Sequence, residues 1–229
     1  MVGAIIVAAG SSTRMGSADK LFADLGGRPL LARTLQPFQD SPPVGRVVLV
    51  LSAANLERGR KLATEYGIGK LSAACEGGPR RQDSVRLGLE ALGECDWVLV
   101  HDGARPLVTA ELIERGLAAA RETGAAVPAV PLADTVKQAA TDGTVERTLD
   151  RNQLFAAQTP QVFRYDHLLR AHREVTTDVT DDAAMLEALR LPVKLFEGSP
   201  ANIKVTTPED LRLAEALLAA GAAPVKGSA

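Results

Sequence analysis

Three short runs in this chain gather glycines, cations and acids in an order that suits phosphate chemistry. The first is Ala8-Ala-Gly-Ser-Ser-Thr-Arg-Met-Gly-Ser-Ala-Asp-Lys20, which follows an apolar β-branched stretch. Consecutive small residues let backbone N–H groups turn inward on an anion, so Ala8, Ala9, Gly10, Ser11 and Gly16 form a candidate phosphate cradle. Arg14 and Lys20 could set two cations along a phosphate chain and stabilise the charge that develops when its phosphorus is attacked. The alternative is a surface loop with two solvated charges. The run fits neither the dinucleotide G-x-G-x-x-G pattern nor the P-loop, because its glycines are wrongly spaced and Lys20 is followed by Leu21 in place of Ser or Thr. NAD and kinase readings weaken accordingly.

The second run, Glu76-Gly-Gly-Pro-Arg-Arg-Gln-Asp-Ser-Val85, is a glycine pair between a strand and a helix. Gly77 and Gly78 allow close backbone approach, while Asp83 and Ser84 could bond a base or ribose edge. They could equally be plain polar residues at a helix start. The third run, His101-Asp-Gly-Ala-Arg-Pro106, places Asp102 at the end of a buried strand. A hard cation such as Mg2+ is commonly shared between one carboxylate, substrate phosphates and water, so Asp102 is the metal candidate. Otherwise Asp102 caps a turn and pairs with Arg105. A lone histidine is more often packed than ligating, and His101 is read as structural.

The elements that must carry these runs are legible as an alternation. Apolar runs at Ala4–Val7, Val47–Leu51, Trp97–Val100 and Ala125–Val130 read as parallel strands buried on both faces. Segments of helical period lie between and after them: Leu30–Phe38 with Pro29 in its first turn, Asn55–Tyr66, Arg81–Leu92, and Thr109–Arg121 with a Thr cap. This βαβα rhythm predicts an α/β fold, a three-layer doubly wound, mostly parallel sheet whose ligands lie outside the carboxyl ends of the strands. After Val130, Asp142-Gly143 between alternating segments signals a β-hairpin, a projecting arm over approximately 132–152. Such a hairpin is marginal alone, so a second subunit is expected to cover it. Helices at Tyr165–Arg173, Thr180–Leu189 and Pro208–Ala219 and a strand at Pro192–Phe196 close one domain over 1–220, with 221–229 a frayed tail.

Composition narrows the class. The 26 basic and 28 acidic residues nearly cancel and form no like-charge run, which argues against a nucleic-acid surface. Aromatics are only 3% of the chain, too few for a site that stacks bases between rings. Cys75 and Cys95 lack the number for a disulfide framework and the spacing of a zinc site, which fits a reducing, cytoplasmic setting. The apolar opening run is too short for a membrane span and lacks the flanks of a signal peptide.

Taken in order, AAGSSTRMG…K, GGPRRQDSV, HDGARP, DTVK, DRNQLFAAQTPQVF, TDDAAM and NIKVTTPEDL resemble the 2-C-methyl-D-erythritol 4-phosphate cytidylyltransferase family of the non-mevalonate isoprenoid pathway. The resemblance runs from residue 4 to about 215. It implies CTP and an alcohol phosphate as substrates, a divalent cation such as Mg2+, and a homodimer whose arms reach into the partner's site. By the same resemblance, Arg14, Lys20 and Lys204 are the catalytic cations. Gly78, Asp83 and Ser84, with Ala104 and the first loop, hold the nucleotide. Asp102 and Arg105 match the metal and phosphate strand end, and Thr135, Lys137, Arg151, Thr159 and Thr180 match acceptor-side positions. Thr180 could instead cap a helix, and Lys204 could be a strand-end surface charge. Leu21 and Gly103 depart from the family's usual Gln and Ala. The acceptor phosphate is already an anion at neutral pH, so no general base is required and catalysis reduces to alignment and charge neutralisation. A cytidylyltransferase for ribitol 5-phosphate and a non-catalytic nucleotide-binding module are the rival readings.

Overall fold

The computed structural model describes residues 1–10 and 20–221 of the chain. Its framework is β1 (Val2–Ala8), β2 (Val44–Leu51), β3 (Leu71–Glu76), β4 (Trp97–Asp102) and β5 (Ala125–Pro131). Side chains of a strand alternate between faces, and here both faces are covered. Ala4, Ile6, Val47, Leu49 and Leu99 pack under α1 (Leu30–Asp40), α2 (Leu56–Glu65) and α4 (Ala110–Thr123). Ile5, Val48, Val50, Val98 and Val100 pack under α3 (Arg81–Leu92), α5 (Tyr165–Glu174) and α6 (Asp182–Ala188). Those two apolar layers, one on each side of the sheet, are the three-layer arrangement that the alternation predicts.

The arm is present as β6 (Lys137–Ala139) and β7 (Val145–Thr148), an antiparallel pair separate from the main sheet. Gly143 adopts φ 84°, and the Asp142 carboxylate accepts from both the backbone N–H and the hydroxyl of Thr144 to hold the turn. Beyond the arm come β8 (Phe155–Ala157), β9 (Gln161–Arg164) and β10 (Lys194–Glu197), then α7 (Pro208–Ala219). The main sheet has eight strands in the order β10-β5-β9-β4-β1-β2-β3, with β8 paired to β5.

Three details differ from the expected pattern. β9 inserts between β4 and β5 and runs antiparallel to both, so β5 is a parallel partner only to β10. Pro29 sits at the cap position of α1, one residue before its first turn. The cap of α6 is Asp181, whose carboxylate accepts from the Ala184 N–H at 3.1 Å, leaving Thr180 outside the helix. A carboxylate outcompetes a hydroxyl there because it bonds the orphan N–H with full charge at the positive end of the helix dipole. The expected tail falls, apart from Gly221, outside the described residues.

Candidate active site

At the carboxyl ends of β1 and β4 the sheet opens into a cavity of about 460 Å3. Its walls come from three loops and one strap. Ala8, Ala9 and Gly10 continue β1, and Gly78, Pro79, Arg80 and Arg81 lead into α3. Asp102 and Ala104 end β4, and Lys20 and Lys204 approach from the two remaining sides. Parallel β1 and β4 pair Val7 with Asp102, and the Gly103 N–H continues the ladder by donating to the Val7 carbonyl at 2.8 Å. A Cβ on Gly103 would stand 2.8 Å from that of Ala8, so glycine lets the two loops approach this closely. Gly77 has the same role on the other wall, with Ala9 and Ser84 crowding the space a side chain would need.

Asp102 is the electrostatic centre of the floor. Its Oδ2 receives Lys204 Nζ at 2.9 Å and lies 3.6 Å from Arg105 Nε, and its Oδ1 lies 3.4 Å from Arg81 Nε. Burial alone would raise its pKa, but the charges of Arg81, Lys204 and Arg105 hold it well below the usual carboxylate range. Arg105 is itself buried, which lowers its pKa against the opposing pull of Asp102, and its Nη1 donates to the Asn202 carbonyl at 2.6 Å.

Lys204 reaches this place because an irregular segment is tied down around it. The Val205 N–H donates to the Ala104 carbonyl at 2.8 Å, and Asn202 Nδ2 donates to the Thr159 carbonyl at 2.8 Å. Val205 is fully buried. Lys204 is therefore an exposed side chain, as a surface charge would be, but one paired with Asp102 at the cavity floor.

Behind the floor, His101 is fully buried and burial pushes its pKa down to about 4. Its Nε2 faces the Arg105 carbonyl at 3.1 Å and its Nδ1 faces Thr159 Oγ1 at 2.9 Å. A carbonyl can only accept, so Nε2 carries the proton and Nδ1 accepts the Thr159 hydroxyl. Thr159 Oγ1 in turn accepts the Asp102 N–H at 3.1 Å. His101 is structural, as expected, and it holds the main chain on both sides of the Asp102 turn.

The expected site residues divide clearly. Ala8, Ala9, Gly10, Lys20, Gly78, Ser84, Asp102, Ala104 and Lys204 all line the cavity. Arg105 and Thr159 lie one layer behind, with the Thr159 hydroxyl occupied by His101 and Asp102. Asp83 does not line it. Its carboxylate is taken by Arg80, which binds it through the backbone N–H at 3.2 Å and through Nε and Nη2, each at 2.8 Å. Between base edge and helix start, geometry favours the helix start for Asp83, while Ser84 meets the cavity with its hydroxyl donating to the Arg80 carbonyl at 3.2 Å. Thr135, Lys137, Arg151 and Thr180 are exposed and do not line the cavity of their own chain. Ser11, Arg14 and Gly16 lie outside the described residues.

Arg81 was not singled out by sequence reasoning, yet it lines the cavity and contacts Asp102. One signal could have found it. A cation in the first turn of a helix is disfavoured by the dipole, so two adjacent arginines at the start of the predicted Arg81–Leu92 helix require carboxylates nearby. Among the described residues no group of three or more His, Cys, Asp or Glu side chains could by itself hold a metal ion.

Over residues 2–220 the chain matches the family model described as IspD, 2-C-methyl-D-erythritol 4-phosphate cytidylyltransferase. A protein of that name from Dehalococcoides mccartyi is 55% identical over 220 residues, covering 96% of this chain and 97% of its own. Among solved structures, 4-diphosphocytidyl-2C-methyl-D-erythritol synthase from Anaerococcus prevotii matches with a TM-score of 0.85 at 31% identity, over 95% of this chain and 96% of that one. The 2-C-methyl-D-erythritol 4-phosphate cytidylyltransferase of Thermus thermophilus matches with a TM-score of 0.75 at 36% identity, over 94% of this chain and 98% of that one. With sequence agreement and fold agreement both extending over nearly the whole length, this chain belongs to the 2-C-methyl-D-erythritol 4-phosphate cytidylyltransferase family.

Proposed function

We propose that this chain transfers a cytidylyl group from CTP to 2-C-methyl-D-erythritol 4-phosphate. An oxygen of the acceptor phosphate attacks the α-phosphorus of CTP, the bond from that phosphorus to the bridging β-phosphate oxygen breaks, and pyrophosphate leaves. The observation that carries this reading is the ionised Asp102 paired with Lys204 at the end of β4, facing the β1 loop across one cavity. Lys204 and Lys20 bring positive charge to the place where the phosphates would lie, and Arg14 lies six positions before Lys20 in the sequence. Gly10 and Gly78 give the nucleotide close access to backbone groups. No side chain needs to take a proton from the nucleophile, so the chemistry rests on alignment and charge.

The donor set also fits a magnesium ion. Asp102 stays ionised and among the described residues its Oδ1 has only the long 3.4 Å contact to Arg81, so it could hold a hard cation whose other ligands are triphosphate oxygens and water. Such an ion would neutralise charge on the triphosphate as pyrophosphate departs. We further read the enzyme as a homodimer. Among the described residues the strands of the arm are wholly exposed, and Val145 and Phe155 present 60% and 47% of their surface. Thr135, Lys137 and Arg151 would then serve the acceptor side of the partner's cavity. The unpaired thiols of Cys75 and Cys95 fit the cytoplasm, and no helix among the described residues is long and apolar enough to cross a membrane.

The test is to offer the purified protein CTP with the methylerythritol phosphate or with ribitol 5-phosphate and to follow pyrophosphate release. The methylerythritol phosphate should be preferred, chelation of divalent cations should stop the reaction, and Lys20→Ala should cost roughly a hundredfold in turnover. Preference for ribitol 5-phosphate would overturn the acceptor assignment, and CTP binding with no release from either would favour a nucleotide-binding module.

A further inference from the structure

One buried carboxylate beside the cavity has no part in the reaction as described above. Asp182 opens α6 with its side chain 1% exposed, and its Oδ2 accepts from Arg81 Nη1 at 2.7 Å. The other arm of the same guanidinium, Nε, faces Asp102 Oδ1 at 3.4 Å. Arg81 thus spans two carboxylates, one in the interior and one on the cavity floor. Burial would lower its pKa, but Asp182 and then Asp102 hold it charged and raise it above its ordinary value. The alternating chain Asp182, Arg81, Asp102, Lys204 runs from the core to the cavity.

The interior end of this chain is fixed. Gln161 of β9 donates to the Asp181 carboxylate at 2.6 Å and accepts from the Ala183 N–H at 3.2 Å, so β9 grips the start of α6. Gln82, next to Arg81, donates to the Thr177 carbonyl at 3.3 Å and accepts from the Val179 N–H at 3.1 Å. The starts of α3 and α6 are laced together with the Arg81–Asp182 pair between them. Within that frame the guanidinium keeps spare capacity: Arg81 Nη2 and Asp182 Oδ1 have no hydrogen-bond partner among the described residues, and His172 Nε2 stands 3.7 Å from Oδ1.

We infer that Asp182, acting through Arg81, is a positioning residue for the Asp102–Lys204 pair of the cavity. A guanidinium is a planar fork that prefers to grip one carboxylate with two parallel bonds. By holding Nη1, Asp182 limits Arg81 to a single long contact with Asp102. Released from Asp182, Arg81 would turn its fork on Asp102, displace Lys204 from Oδ2 and occupy the oxygen that faces the triphosphate. Misplacement by about an ångström is enough to cost up to a hundredfold in rate. The Gly78 and Ala8 walls are untouched by this change, so the effect belongs to turnover and not to nucleotide affinity.

The inference rests on the cytidylyltransferase reading, and the experiment separates the two. Pyrophosphate release from CTP and the methylerythritol phosphate is measured for the wild type, Asp182→Asn, Arg81→Gln and the double variant, with melting temperatures alongside. Asp182→Asn should lower kcat by about tenfold or more while the KM for CTP changes by less than about threefold. The double variant should be no slower than Arg81→Gln alone, because Asp182 works only through Arg81. Wild-type kcat in Asp182→Asn, a loss confined to KM, or losses that multiply would each overturn the inference. Should Asp182→Asn not fold, Arg81→Met/Asp182→Leu replaces the buried pair by apolar groups, an exchange that such sites often tolerate. A folded pair variant with kcat within about threefold of Arg81→Gln supports the role, because without the guanidinium Asp182 has nothing to hold, and one slower than that ends it. A wild type that releases no pyrophosphate removes the reading and the inference together, whereas an active wild type with unaffected variants removes only the inference.

Discussion

His101 makes a residue-scale account of pH possible, because its folded pKa is about 4 against 6.5 for the free side chain. A histidine buried neutral binds no proton in the folded chain until the pH falls to about 4, whereas the unfolded chain takes one up as the pH falls through 6.5. Stability is therefore whole above 6.5 and declines as the pH drops between these values, by roughly 3 kcal/mol in all for this one group. Urea unfolding at pH 7 and at pH 4.5 should show the loss, and equal midpoints would rule out a buried neutral His101. Asp102 and Asp182 have depressed pKa values and add their own losses only at lower pH. The role of His101 as packing was legible from its type. Its bond to Thr159 was not, because the two are 58 positions apart and only the pairing of β4 with β9 brings them together. Asp83 shows the converse: local spacing carried two readings, and the neighbouring Arg80 decided between them.

At the scale of elements, α3 is the wall that connects sheet and cavity, and Gly88 sets how closely it lies on β1 and β2. A Cβ there would come within 2.5 Å of Ile5 Cγ2 and 3.0 Å of Val50 Cγ2. Both neighbours are β-branched and held in strands, so neither can rotate away cheaply. Gly88→Ala should destabilise the protein by about 1 to 3 kcal/mol through overpacking, read as a lower urea midpoint with unchanged slope. An unchanged midpoint would mean that α3 can slide. The parallel strands β1, β2 and β4 were legible as apolar runs because both their faces are buried, whereas β3, half-exposed at the sheet edge, gave no such run. β9 was not, since it is four residues long and begins with Gln161, a polar side chain that is buried because it serves the α6 cap. Its antiparallel course has no signature in so short a stretch.

At the scale of the molecule, the arm is a folded element whose two strands stay wholly exposed among the described residues. Two strands joined by a turn are marginal in water, yet the hairpin is held by Lys137 to Thr148 at 2.7 Å and by Gln138 to Glu146 and Arg147 at 3.0 and 2.8 Å. Val145→Asp should weaken self-association, measured by sedimentation at several concentrations, and should lower turnover in proportion to the monomer formed. A variant that stays monomeric and fully active would remove the arm from the site. Turn chemistry made the hairpin legible, while the surface that would receive it is not written in local spacing.

The strap that carries Lys204 has a consequence for how this protein comes to be. Chains emerge from the amino terminus, and β1 to β4, with three of the cavity walls, lie within the first 104 residues. Thr159, Asn202 and Lys204, which fasten and complete the floor, come from the last third. The cavity is therefore complete only when the last third of the chain has docked on the sheet. The strap that carries Lys204 is pinned only once Val205 docks on Ala104, so a chain cut short before Val205 should lose CTP transfer even where its sheet has formed.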